Sequence, residues 1–174
     1  MKALPAVVLA ALVTSTAAAS ATPLTLAEPD QARIAALAQT YLQNRAQKVT
    51  SAPQTPGFGV PLAPALAATL QTHEVKLEAA RASRSPHSHY RSAVVRTRVA
   101  RFDVQTRDMV VAHVHEHGEL YFEPPGTPPY TGYGLMHRLT VQRQNGDWVL
   151  ADVAIERYKA CGLLPEPQSV TCER

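Results

Sequence analysis

Near residue 90 the spacing of apolar residues switches from helical to alternating, and this switch limits the fold more than any other feature of the chain. Beyond it β-branched residues accumulate at Val94, Val95, Val99, Val104, Val110, Val111 and Val114. The pattern predicts four antiparallel strands, at Tyr90–Val104, Met109–Phe122, Gly132–Gln144 and Trp148–Arg157. Gln105-Thr106-Arg107-Asp108 is a short hairpin connection, and Asn145-Gly146 between two alternating runs is the strongest hairpin signal in the chain. Pro124, Pro125, Pro128 and Pro129 with Gly126 exclude a strand and predict a stiff loop, placed to form the rim of a pocket.

Before the switch the period is helical. Ile34, Leu37, Ala38, Tyr41, Leu42 and Val49 form one stripe over Asp30 to Val49. Leu66, Leu70, His73 and Leu77 form a second, in a helix that opens at Pro64, a residue suited to a first turn, and ends near Arg81. The four prolines and two glycines of Ser51–Pro64 make the connection between them a loop. Helices first and a long meander afterwards is an α+β layout, with the helices packed across one face of the sheet. The expected core sets Val95, Val99, Leu139, Val141 and Leu150 against Ile34, Leu37, Tyr41 and Leu42.

The N-terminus carries Lys2, an uncharged apolar run from Leu4 to Val13, and then Ala19-Ser20-Ala21. The run is shorter than the roughly 20 residues needed to span a bilayer, and the small-x-small triplet fits signal peptidase. The expectation is export, with cleavage after Ala21, a mobile leader over 22–29, one domain over 30–160, and a C-terminal tail over 161–174. Cys161 and Cys172 are then expected to form a disulfide that closes this tail.

Removing Lys2 takes the formal charge from +3 to +2, and the basic character rests on 13 Arg against 4 Lys. Arg81, Arg84, Arg91, Arg96, Arg98 and Arg101 fall in a stretch with no acid between Glu78 and Asp103. They read either as solvated strand and loop residues or as a surface for an anionic polymer. No aromatic residue alternates with them from Arg91 to Arg101, so nucleic acid is not an expected partner.

Tyr133-Gly134-Leu135-Met136-His137-Arg138-Leu139-Thr140-Val141-Gln142-Arg143 followed by Asn145-Gly146-Asp147-Trp148-Val149-Leu150 resembles the last hairpin of the NTF2-like, or cystatin-like, superfamily. The helix ending Tyr41-Leu42-Gln43-Asn44-Arg45 is similar to the exported NTF2-like region that precedes an amidase-like domain in some bacterial wall proteins. The resemblance implies a cone whose concave sheet face holds a small ligand and, in some relatives, an active site. The catalytic Cys and His of the downstream amidase have no counterpart before Arg174, so no activity is carried over.

Two constellations carry chemistry. His113, His115 and His117 alternate on one strand, which puts the imidazoles on one face roughly 6–7 Å apart, a spacing at which neighbours share Zn²⁺ or Cu²⁺, with His137 as a further ligand; the alternative is a solvated, partly protonated face. For acid–base work the available groups are Asp103, His137, Tyr130, Tyr133 and Asp152. Asp152 shares parity with Trp148 and Leu150, and His137 with Leu135 and Leu139, so an inward His–Asp pair is conceivable, against a hydrogen-bonded core histidine or an outward face. Trp148 is either a pocket wall or a core plug. There is no Gly-rich phosphate loop, no Gly-x-Ser-x-Gly elbow and no Cys-x-x-Cys.

The expected function is therefore an exported, non-enzymatic domain that binds a small ligand, a wall component or a protein partner, with Tyr130, Tyr133, His137 and Trp148 as ligand contacts and no cofactor. The alternatives are a small isomerase, dehydratase or hydrolase using His137 with Asp152 or Asp103, and metal capture by the histidine strand.

Overall fold

The computed structural model describes residues 24–51, 56–82, 89–123 and 129–158. Helix α1 spans Glu28–Gln47 and α2 spans Pro64–Ala82; they are followed by strands β1 (His89–Thr106), β2 (Met109–Glu123), β3 (Tyr130–Gln144) and β4 (Asp147–Tyr158). The strands form one antiparallel sheet in chain order, β1-β2-β3-β4, and the helices pack against it, so the fold is α+β. The signal segment, most of the proline loop (124–128) and both cysteines lie outside the described residues.

Helix α1 starts two residues before Asp30 because Pro29 sits in the first turn, where its missing N–H costs nothing, and Glu28 and Asp30 there favour the helix dipole. The predicted leader over 22–29 therefore gives up its last two residues to the helix. Its buried stripe is Ile34, Leu37, Ala38, Tyr41 and Leu42, against Val110, Val114, Leu139, Val141 and Leu150 of the sheet. Val99 is only partly buried, because a register shift between Val99 and Arg101 breaks the alternation beside it. Trp148 is buried, its indole N–H donating to Asp30 Oδ1 at 2.9 Å, and so fastens the last hairpin to the start of α1. The Asn145-Gly146 turn has φ of 53° and 92°, the left-handed pair that such a hairpin requires.

The sheet is not strongly curled, which corrects the expected cone. Bends in a sheet come from bulges, and the central β2–β3 pairing runs from Met109 to Tyr121 with no register shift; the shifts fall in the flanking pairs.

Three glutamines on α1, four residues apart, close the outer edge of β1. Gln39 donates to Val95 O at 2.9 Å and accepts from Thr97 N at 3.0 Å. Gln43 donates to Ala93 O at 2.9 Å and accepts from Val95 N at 2.8 Å, and Gln47 accepts from Ala93 N at 3.2 Å. The opposite edge is bridged at one point, where Leu150 N donates to Pro61 O at 2.9 Å and Ala63 N to Leu150 O at 2.8 Å.

Candidate functional site

Along β2 the side chains of Val110, Ala112, Val114 and Leu120 point inward, and Glu116 shares their parity. A carboxylate there needs partners, because a buried charge without them costs several kcal/mol or more. The register supplies two. Glu116 lies opposite Leu135, which makes Tyr133 and His137 its diagonal neighbours on β3. The Tyr133 hydroxyl donates to Oε1 at 2.8 Å and His137 Nε2 meets Oε2 at 2.5 Å. The third partner comes from the last turn of α1, where Arg45 Nη2 donates to Oε2 at 2.8 Å.

Gly118 makes the tyrosine contact possible. A Cβ at this residue would lie 2.1 Å from Tyr133 Cζ, so the ring crosses the strand where no side chain stands. Burial pushes the Glu116 carboxyl up, but the His137 hydrogen bond, the charges of Arg45 and His137 and the Tyr133 hydroxyl outweigh it and hold the group below its ordinary value. Glu116 is therefore ionised and only accepts, so Nε2 of His137 carries a proton. His137 Nδ1 and Arg45 Nε are buried and have no hydrogen-bond partner among the described residues.

These two residues border a cavity of ≈ 550 Å³ between α2 and the β4 side of the sheet. Tyr41, Phe58, Leu66, Leu70 and Leu77 give it an apolar wall, and on α2 Lys76 adds a positive charge and His73 a polar ring. Burial raises Tyr41 above the usual phenol value, Glu116 adding to and Arg45 opposing the effect. A volume of this size suits a small organic molecule, and Arg45, His73, Lys76 and Asp152 give its lining a polar share.

The candidate residues from the sequence divide among three places. His137 and Tyr133 belong to the buried cluster. Asp152 is exposed at the cavity margin and is not paired with His137: a register shift between Thr140 and Val141 sets Asp152 opposite outward Thr140, so it loses the parity of Leu150. Asp103 lies on the other face of the sheet with Arg101 and His113. Tyr130 is half-exposed and meets Tyr121, ring centroids 5.4 Å apart, away from the cavity. Trp148 does not line the cavity but packs beneath Arg143, 4.4 Å from its ring.

His113, His115 and His117 share the outer face, as their alternation predicts. His113 is buried between Asp103 Oδ2 at 2.8 Å and Glu156 Oε2 at 3.1 Å, while His117 is open to solvent. Among the described residues no cluster of His, Cys, Asp and Glu is arranged to hold a metal ion. Sequence reasoning missed Glu116 and the role of Arg45. The signal for Glu116 was present, as the one acid at the inward parity of an otherwise apolar strand.

No known protein family matches the chain, and no curated protein or solved structure is significantly similar to it.

Proposed function

We propose that the chain is an exported, NTF2-like domain that binds a small, largely apolar molecule carrying one hydrogen-bonding head group. The observation behind this reading is the pair of buried, unpartnered polar atoms, His137 Nδ1 and Arg45 Nε, beside an apolar cavity of ≈ 550 Å³. Burying such groups unpaired costs about 1–3 kcal/mol each, a cost that a ligand with a donor or acceptor at its head offsets. With Nε2 turned to Glu116, Nδ1 is the ring atom of His137 left to meet a hydroxyl or amide on a ligand.

The test is native mass spectrometry of the protein as purified, compared with Leu70→Trp, which fills the cavity from α2. A small organic mass retained by the parent and lost in the variant supports the reading. Equal retention in both, or a bare mass that no library of small hydroxylated hydrophobes increases, overturns it.

The buried dyad favours one second reading, acid–base catalysis. His137 would take a proton at Nδ1, with Glu116 orienting the ring and stabilising the imidazolium. Bound molecules recovered chemically unchanged after incubation with the parent protein, and identical to those recovered from His137→Gln, count against this reading and leave the binding one intact.

A further inference from the structure

The arginine run and the histidine stripe, separate in sequence, meet on the outer face of the sheet. The β1–β2 register sets Arg96 opposite His117, Arg98 opposite His115 and Arg101 opposite His113. Arg138 of β3 lies opposite His113 on its other side, and Met136 opposite His115. Arg96, Arg98, Arg101 and Arg138 are all exposed, as is His117.

Cations directly opposite one another destabilise a sheet, and carboxylates at the same rungs would stabilise it. Carboxylates do answer part of the face. Glu119 lies 3.6 Å from Arg96 and 3.7 Å from His117, Asp103 pairs with Arg101 and His113, and Glu156 with His113. Arg98, His115 and Arg138 in the middle have no ion pair among the described residues. The acids sit at the ends of the row and its centre stays positive.

We propose that this outer face is a docking surface for a linear acidic polysaccharide. Arg96 and Arg98 are two strand residues apart, roughly 6.6–6.8 Å, and Arg101 follows across the register shift after Val99, so the three form a row of positive charge suited to an extended chain bearing repeated carboxylates or sulfates, not to a single anion. Among the described residues no aromatic ring stands between the rungs to stack bases; Tyr121, under Arg91 at 5.9 Å, lies at one end. A second copy meeting this face with its own would bring like charges together.

The probes are a fluorescent oligogalacturonate of about eight units, the neutral oligosaccharide of equal length, and single-stranded DNA, each titrated with the intact chain by fluorescence anisotropy. The expected result is binding of the acidic glycan alone, weakening as salt rises, and about tenfold or more weaker in Arg98→Glu/Arg138→Glu than in the parent. Arg33→Glu, on α1 away from this face, should bind like the parent. Arg98→Gln/Arg138→Gln repeats the test without charge reversal, and far-ultraviolet circular dichroism confirms that each variant is folded. The proposal is overturned by no binding of the acidic glycan, by equal binding in folded double variants, by DNA binding as tightly, or by sedimentation showing that the parent pairs with itself through this face and the variants do not.

Discussion

Glu116 concentrates the chemistry of the inner face because three donors from two elements converge on one carboxylate that has no exposed surface. Glu116→Ala leaves the Tyr133 hydroxyl, His137 and the partly exposed Arg45 without their common acceptor, and the expected loss is about 1–3 kcal/mol in urea unfolding. The acid limb follows from the direction of the shift. Its carboxyl is held below the ordinary value in the folded chain, so its contribution is fully present above the unfolded value and is lost as pH falls through the folded one. The difference in unfolding free energy between the parent and Glu116→Gln should therefore narrow between pH 7 and about pH 3; a difference constant with pH would show that the carboxyl titrates in the fold as it does in the unfolded chain, and one that widens toward acid that the fold keeps it protonated. Gly118 is the second sensitive position. Gly118→Ala should displace the Tyr133 ring and cost about 1–3 kcal/mol, and Gly118→Ala/Tyr133→Phe should lose little more than the single variant, since the hydroxyl contact is already broken. His137 and Tyr133 were legible in the sequence because β3 alternates without interruption through them. Asp152 misled because one extra residue at a bulge leaves no mark on hydrophobicity, yet turns the side chains after it over as far as the next register shift. Glu116 was hidden by its neighbours, since the three histidines on the other parity are the stronger chemical signal and belong to the opposite face of the same strand.

At the scale of elements, the four strands and two helices were readable to within about two residues because each was bounded by a chemical break, a proline-rich loop or a tight turn. The attachment of α1 to β1 was not readable. Glutamine at every fourth helical position looks like an ordinary solvated face, and only tertiary structure reveals that the amides meet a backbone edge. The match between the elements is geometric. Four helical residues rise ~6.0 Å and two strand residues ~6.7 Å, so three successive side chains stay within reach of alternate strand residues while a much longer series would drift out. Gln43 sits in the middle, where this mismatch is smallest. Gln43→Ala should cost about 1–3 kcal/mol, because it leaves Val95 N–H and Ala93 C=O without partners. Amide exchange at Val95 should accelerate while that of Val114 in the centre of the sheet changes little; uniform acceleration would mean that the helix contributes to global stability and not to the edge.

At the scale of the molecule, the two faces of one sheet differ in chemistry. The inner face is apolar and closes over a cavity, and the outer face displays arginine and histidine. Substitutions on one face should leave the other unaffected, so Arg98→Glu/Arg138→Glu should retain whatever mass the parent carries in the cavity, as read by native mass spectrometry. Loss of that mass would show that the faces communicate through the strands. The closed edge of β1 also sets a limit on assembly. A sheet that is to grow copy by copy into a fibre needs two free borders, one to receive a neighbour and one to pass the pairing on. From Tyr90 to Thr97 the first border is occupied by the chain's own helix and the segment after it. Growth through this half of the β1 border is therefore blocked, and three glutamines that would never touch a second molecule confine any pairing on that side to the stretch beyond Thr97.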